Sequence, residues 1–321
     1  MMMRIKNGTK IYFIINPQAK NGYCQKVWSK IEQLLLEKGI SYEAFFTNYR
    51  GHAKEIARKL AEKEEGRKTL IIAVGGDGTM HEVVNGAASF QHVNLSYIPG
   101  GSGNDFSRGF GIPKDPVAAL NQLLNKEDLE ATLTDLGKVS KKDGEAIYFI
   151  NNMGVGLDAS IAREVNESKI KGYLNRLSLG KLAYVYFLLK NLVTFKKSAM
   201  EIVIDGKLST YENAWFVSVS NQPFYGGGMK ISPNASPFDD QLNITVVHKI
   251  SRLKILFVFI TVFWGGHVAF KGVEAFTGKE IRISSLHPLP VHADGEDIGT
   301  TPLKVITCHR LLPISSNASG Q

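Results

Sequence analysis

From residue 10 onward the chain alternates short apolar runs with stretches in which apolar residues recur every three to four positions. "KIYFIIN" reads as a buried strand, whereas Val27 to Glu37, with Val27, Ile31, Leu34 and Leu35 at helical spacing, reads as a helix. "SYEAFFT", "TLIIAV" and "LSYIPG" repeat the strand pattern, and the periodicity predicts helices over Gly51–Glu64, Met80–Ala88 and Pro116–Asn125. A β-α-β-α order of this kind predicts a doubly wound parallel sheet with helices on both faces. In such sheets ligands sit beyond the carboxyl ends of the strands.

After Asp135 the pattern changes. "AIYFINNMGVG", "AMEIVIDG", "NAWFVSVSN", "LNITVVHK", "EIRISS", "LPVHADGE" and "LKVITCH" are β-rich runs separated by Gly, Pro, Asn and Asp, the texture of an antiparallel sandwich or barrel. Two helical insertions interrupt them: Ile161 to Phe195, basic and amphipathic with breaks at Gly172 and Gly180, and Arg252 to Trp264. The expected organisation is an α/β domain over residues 1–135 and an all-β sandwich domain with helical insertions over 136–321. The last residues are candidates for returning to the first domain, and the polar tail "SSNASGQ" is expected to be disordered.

A length of 321 residues with 44% hydrophobic composition suits two cores. The net charge of +8 is unevenly spread, with eight Lys/Arg against three Asp/Glu in residues 151–200 and the same ratio in residues 1–50. No zinc-finger spacing, RNP-type aromatic motif or basic repeat accompanies it, so nucleic acid is not the expected partner. Nucleotide phosphates and an anionic membrane surface fit. Cys24 and Cys308 form no C-x-x-C, which argues against a disulfide framework or zinc site and for a reducing cytosol. "MMMRIKNGTK" is polar and the following "IYFII" is too short for a signal-peptide core. The longest apolar run, Ile255 to Gly266, falls short of the roughly 20 residues a spanning helix needs.

Three glycine-rich turns follow predicted strands of the first domain: "NPQAKNG" (Asn16 to Gly22), "GGDGT" (Gly75 to Thr79) and "PGGSGND" (Pro99 to Asp105). Glycine at such a turn lets backbone amides approach a phosphate. Asp77 in the middle of one would repel bare phosphate, which calls for a divalent cation such as Mg²⁺ or a hydroxyl awaiting activation. No G-x-x-x-x-G-K-[ST] is present, and no G-x-G-x-x-G opens the first helix, so Walker-type and dinucleotide Rossmann sites are disfavoured. "HEVVN" lacks the second histidine of a zinc protease, and "GGSGN" lacks the closing glycine of a serine hydrolase elbow.

"GGDGTMHEVVNG", "PGGSGNDFSRGFGIP", "NPQAKNG" and the late "HADGE" together resemble the diacylglycerol kinase catalytic domain family, in particular its small bacterial lipid kinases. The likeness is more distant to NAD kinases and phosphofructokinases, which share GGDGT. It runs from about Ile11 to Cys308 and implies an NAD kinase-like nucleotide-binding first domain. It also implies transfer of the γ-phosphoryl group of ATP, with Mg²⁺, to a hydroxyl of diacylglycerol or a related lipid. Such transfer needs amides and cations around the phosphates and a carboxylate to take the hydroxyl proton.

Under the resemblance, Gly75, Gly76, Gly78 and Thr79 line the triphosphate, with Glu82 on the helix behind and Asp77 at the phosphate and metal edge. Asn16 and Pro17 shape the first turn, Thr47 and Ser102 contact the nucleotide, and Asp135 orders the Mg²⁺ water network. Lys20 is displaced from the family's usual "NPxxGK" position. In "SPFDDQLN", Asp240 gives a carboxylate and Pro237 and Leu242 give carbonyls to a structural Mg²⁺, although Gln241 stands where the family has glycine. Glu296 of "HADGE" is the general base, on a late hairpin expected to face the triphosphate across an interdomain cleft; the plain alternative is a D-G hairpin turn. The expected partners are a lipid substrate, an anionic membrane surface met through the basic segment 161–195 and, as a candidate, a second copy in a homodimer. The expected location is cytoplasmic and peripherally membrane-associated. Two rivals stand beside this reading: a kinase of a soluble substrate such as NAD, disfavoured because His81 and Glu82 replace the "NE" that follows GGDGT there, and a catalytically silent nucleotide or lipid sensor.

Overall fold

The computed structural model describes residues 9–125, 131–140, 146–168 and 180–315. The chain divides into two compact units, one comprising residues up to Leu136 together with the stretch from His309, the other Gly137–Cys308.

The first unit is mixed α/β. Its elements are β1 (Lys10–Ile15), α1 (Tyr23–Glu37), β2 (Glu43–Phe46), α2 (His52–Lys63), β3 (Thr69–Gly75), α3 (Asp77–Ala87), β4 (Val93–Pro99), α4 (Asp105–Gly109), α5 (Pro116–Leu124) and the start of β5 (Thr132–Ser140). β1 pairs in parallel with β2 and β3, and β3 with β4. β3 is buried along its whole length, as its unbroken apolar sequence requires of a central parallel strand. α1 lays Cys24, Val27, Trp28, Ile31 and Leu35 into the core, where Trp28 meets Phe13 at 5.1 Å. Each fully buried aliphatic side chain there contributes roughly 1.5–3 kcal/mol relative to exposure.

Helix starts differ from the periodicity. α1 begins at Tyr23 rather than Val27, because Lys20, Asn21 and Gly22 all take left-handed φ values (50°, 54° and 85°) and turn the chain straight into the helix. α3 begins at Asp77 rather than Met80: extended Gly76 is its N-cap, so "DGT" is the first helical turn and Asp77 lies in a helix rather than a loop. An acid at that position complements the positive end of the helix dipole.

The second unit is an antiparallel β-sandwich. It contains β6 (Ala146–Phe149), β7 (Asn152–Gly156), α6 (Leu157–Glu167), α7 (Gly180–Thr194), β8 (Ser198–Ile204), β9 (Lys207–Ser220), β10 (Phe224–Tyr225), β11 (Met229–Lys230) and β12 (Leu242–His248). There follow α8 (Arg252–Thr261), 3-10 turns Val262–Trp264 and Gly266–Ala269, β13 (Val273–Gly278), β14 (Glu280–Ser285), β15 (Pro290–Ala293), β16 (Glu296–Thr300) and the first part of β17 (Leu303–Ile314). The main strand order is β16-β15-β7-β9-β8-β14, with β12 joining β9 to β13. β9 pairs with β8 through its first half and with β7 and β12 through its second. Trp215, Val217, Val219, Ile244 and Val246 lie in one apolar core.

"AIYFINNMGVG" is two strands rather than one. It breaks at Ile150–Asn151 because the amides of residues 150–152 donate to the Asp294 carboxylate, at 3.1, 2.8 and 3.1 Å. The helix expected over Ile161–Phe195 is described as α6 and α7. Residues 169–179, with Gly172, lie outside the described residues, as do 316–321 of the expected disordered tail. Among the described residues no helix is long and apolar enough to cross a membrane.

Candidate functional site

β1, β3 and β4 are neighbours in the parallel sheet, so the three glycine turns at their carboxyl ends stand side by side. Hydrogen bonds tie them together. The Asn16 amide donates from Nδ2 to Thr79 Oγ1 at 3.2 Å, and Gly100 N donates to Gly75 O at 2.7 Å. A Cβ on Gly101 would lie 2.3 Å from Gly76 Cα, and one on Gly100 would lie 2.7 Å from Cys24 Sγ. Two backbones therefore pass at a distance that excludes any side chain, beside the N-terminus of α3. Main chain and a helix N-terminus brought together in this way have the chemistry to cradle an anion.

The charged residues around the cradle hold its parts. Asp77 Oδ1 accepts the Phe106 amide at 2.9 Å, which fixes the start of α4 against the first turn of α3. Glu82 accepts Gly51 N at 2.8 Å and Ala53 N at 3.0 Å, one on each carboxylate oxygen, and so caps α2. Buried Thr47 donates its amide to Ile15 O at 2.8 Å, at the end of β2. Pro17 is half-buried in the first turn, Gly78 is half-buried in the first turn of α3, and Ser102 is exposed in the third loop. Lys20 is exposed, its ammonium 4.3 Å above the Tyr23 ring. Asp135 is fully buried; its Oδ1 accepts His309 Nδ1 at 2.9 Å and Arg310 N at 2.7 Å.

Sequence reasoning missed Tyr97 and Asn104. The Tyr97 hydroxyl lies 2.8 Å from Gly75 O and 2.9 Å from Asn104 Oδ1, which also accepts Gly101 N at 3.2 Å. Burial, reinforced by the nearby Asp77 carboxylate, pushes the Tyr97 pKa well above its ordinary value and keeps the donor protonated. Asn104 has φ of 54°, a conformation Asn tolerates better than most residues. Arg108 donates to Asp105 at 2.6 Å and to Gly103 O. The "GND" of the third turn was the available signal, but it says nothing of the buried tyrosine three residues before the glycines.

In the second unit Glu296 opens β16 and pairs with Ala293 across a hairpin whose turn residues, Asp294 and Gly295, both have positive φ (51° and 85°). That is the D-G turn the sequence allowed. It is held from several sides: Asp294 takes the three amides of residues 150–152, His292 Nδ1 accepts Gly295 N at 3.2 Å, and Asn166 donates to Gly295 O at 2.8 Å. Because Nδ1 accepts, Nε2 carries the His292 proton, directed at Asp158 Oδ2 3.4 Å away. Both atoms are buried without a hydrogen bond. A Cβ on Gly154 would lie 2.0 Å from that Asp158 oxygen, so only glycine admits the pair. Asp158 also borders an otherwise apolar cavity of about 40 Å³, lined further by Phe216, Tyr225, Met229, Val258 and Phe259.

In the "SPFDDQLN" loop the Asp240 carboxylate carries the Lys279 ammonium, and Asp240 has φ of 60°. Pro237 precedes it in the turn, and Leu242 begins β12. One carboxylate with two main-chain carbonyls is a hard-oxygen donor set suited to Mg²⁺. A divalent ion there would have to displace the ammonium. Among the described residues no three His, Cys, Asp or Glu side chains stand together as a metal cluster.

Residues 10–136 match the family model "Diacylglycerol kinase catalytic domain", and residues 151–315 match "YegS C-terminal NAD kinase beta sandwich-like domain". The Bacillus subtilis protein named "Putative lipid kinase YtlR" is 35% identical over 297 residues, covering 92% of this chain and 95% of that one. A diacylglycerol kinase of the same organism is 29% identical over 300 residues, covering 92% and 93%. Among solved structures, a diacylglycerol kinase from Bacillus anthracis superposes with a TM-score of 0.74 at 25% identity, covering 97% of this chain and 98% of that one.

Proposed function

The chain belongs to the diacylglycerol kinase catalytic domain family and is a lipid kinase, and from that premise we propose that it transfers the γ-phosphoryl group of ATP to a hydroxyl of diacylglycerol or a related lipid in the presence of Mg²⁺. The observation that carries this reading is the contact of two glycine loops at Gly75–Gly76 and Gly100–Gly101, where a side chain on Gly101 would strike Gly76 Cα at 2.3 Å. Glycine loops meeting at a helix N-terminus in this way suit the approach of a nucleotide's phosphates.

In the proposed reaction the first unit, about residues 1–135, binds the nucleotide. Gly75, Gly76, Gly78 and Thr79 bind its phosphates, with Asn16 and Pro17 shaping the adjoining turn and Thr47, Ser102 and Lys20 as further nucleotide contacts. Glu82 acts from behind by fixing α2. When bound, Mg²⁺ would neutralise charge developing on the phosphate oxygens, with Asp77 at the phosphate and metal edge and Asp135 ordering its water network. Glu296 of the second unit takes the proton of the lipid hydroxyl as its oxygen attacks phosphorus. Support for that role is the anchoring of its turn by Asp294, His292 and Asn166, since a catalytic group is best held by others. Pro237, Asp240 and Leu242 remain the proposed structural Mg²⁺ loop. An anionic membrane surface near residues 161–195 is the proposed partner, with homodimer formation a further candidate and a cytoplasmic face of the membrane the proposed location.

Labelled ATP offered with diacylglycerol, ceramide and NAD in parallel tests the reading. Labelled phosphatidate is the expected product. The Glu296→Gln variant should keep nucleotide binding and lose at least about 10²-fold in lipid phosphorylation. Label appearing in NAD but in no lipid overturns the substrate assignment, and near-native turnover by Glu296→Gln removes Glu296 as base.

A further inference from the structure

α8 is anomalous for a surface helix. Its inward residues Ile255, Val258 and Phe259, with Val262 just beyond, line the apolar cavity of the second unit. Its outward residues are apolar as well: Leu253, Phe257 and Ile260 are 75%, 65% and 55% exposed, and the 3-10 turn adds Phe263 and Trp264 at 52% and 63%. Between Ile255 and Trp264 Thr261 alone is polar, and its hydroxyl donates back to Val258 O at 2.7 Å. A helix apolar on all sides is ordinarily buried, and a contiguous exposed apolar patch marks an interaction surface.

The surroundings say what covers it. From Gln241 to Val273 the chain carries Lys249, Arg252, Lys254 and Lys271 and no acidic residue, and all four cations are exposed. Arg252 donates to Leu192 O and Val193 O, which joins the start of α8 to the end of α7. There Tyr186, Leu189 and Val193 are also exposed. An exposed apolar ridge on a stretch of chain whose only Lys, Arg, Asp or Glu residues are exposed cations matches the acyl and headgroup layers of an anionic bilayer.

We propose that the outward face of α8 and the turn after it, Leu253 to Trp264, insert into an anionic lipid bilayer and dock the second unit on it. This surface adjoins the end of the basic segment 161–195 singled out in the sequence and adds to it the apolar face of α8 and the turn that follows. The proposal rests on the lipid-kinase reading only in preferring a bilayer to a protein partner.

Trp264 is a built-in reporter. The chain has three tryptophans, and the other two, Trp28 and Trp215, are 3% and 0% exposed. The protein is mixed with phosphatidylglycerol–phosphatidylcholine vesicles containing neither diacylglycerol nor ATP, so that insertion is read independently of catalysis. The expected result is a blue-shifted emission, quenching by lipids brominated along the acyl chain, and loss of both changes in Trp264→Phe. Phe257→Asp with Ile260→Asp should lower vesicle binding at least tenfold while circular dichroism and turnover of a dispersed short-chain diacylglycerol stay unchanged. Three outcomes overturn the proposal: Trp264 equally open to acrylamide with and without vesicles, undiminished binding by the double variant, or sedimentation as a dimer with Trp264 already shielded, which would assign the face to a second copy.

Discussion

Replacing Gly101 by alanine is the sharpest test of the cradle, because its neighbour provides the control. The new methyl would stand 2.3 Å from Gly76 Cα, with Gly76 N and Asn104 Oδ1 each 3.1 Å away. Reaching an ordinary contact requires the two loops to part by about 1.1 Å, and displacements near 1 Å at a reacting centre cost on the order of 10²-fold in rate. Overpacking of this kind costs about 1–3 kcal/mol, or roughly 2–12 °C of melting temperature for a unit of this size. Gly76→Ala is the counterpart: it places its methyl 3.4 Å from Gly101 Cα at a φ of −100°, so the fold accepts it. Differential scanning fluorimetry and lipid kinase assays with varied ATP should find Gly101→Ala destabilised and about 10²-fold slower, and Gly76→Ala melting with the parent. A Gly101→Ala protein that melts and turns over like the parent, or a Gly76→Ala protein that is the less stable of the two, refutes the packing argument.

Two further outcomes are expected. Removing the competing ammonium with Lys279→Met should strengthen the thermal stabilisation that Mg²⁺ confers, while Asp240→Asn should abolish it; identical Mg²⁺ responses in parent and both variants would show that the loop binds no ion. His267 is fully buried with Nε2 on Ile231 O, and burial holds its pKa below the ordinary value of 6.5. The unfolded chain therefore binds more protons than the folded one below about pH 6.5, and this contribution to stability is complete above that pH and is lost as pH falls toward the folded pKa. Melting curves should be less steep in pH from 7 to 5 for His267→Gln, whose amide can replace the donor; an unchanged slope would exclude His267 as a source.

The sequence made the strands and glycine turns of the first unit legible because a buried parallel strand must be apolar throughout and a main-chain cradle must be glycine. What it concealed was the work of the polar residues between them. Asp77, Glu82 and Asp294 occupy motif positions, yet each spends carboxylate oxygens on backbone amides of a segment 29 to 144 residues distant in sequence. Such pairings carry no local periodicity. Tyr97 was invisible for the opposite reason, since within "LSYIPG" an aromatic residue simply satisfies the strand pattern. The same holds for α8: its all-round apolar character shows in the letters, but only three-dimensional exposure separates the face that lines the cavity from the face that meets solvent.

The return of β17 to the first unit has a consequence for biosynthesis. Asp135 is sealed from solvent with His309 and Arg310 as partners, Ile314 extends the parallel sheet at Leu95, and Ser96 donates to Ser315 O. Chains generally fold domain by domain from the N-terminus as they emerge from the ribosome, but here the first unit lacks one of its strands until residue 315 has been translated. The sandwich must be synthesised in the interval, so the first unit waits, incomplete, with a buried carboxylate still seeking its partners. A nascent chain stalled anywhere between residues 136 and 308 would carry every glycine of the cradle and yet present an unfinished sheet edge to chaperones and proteases.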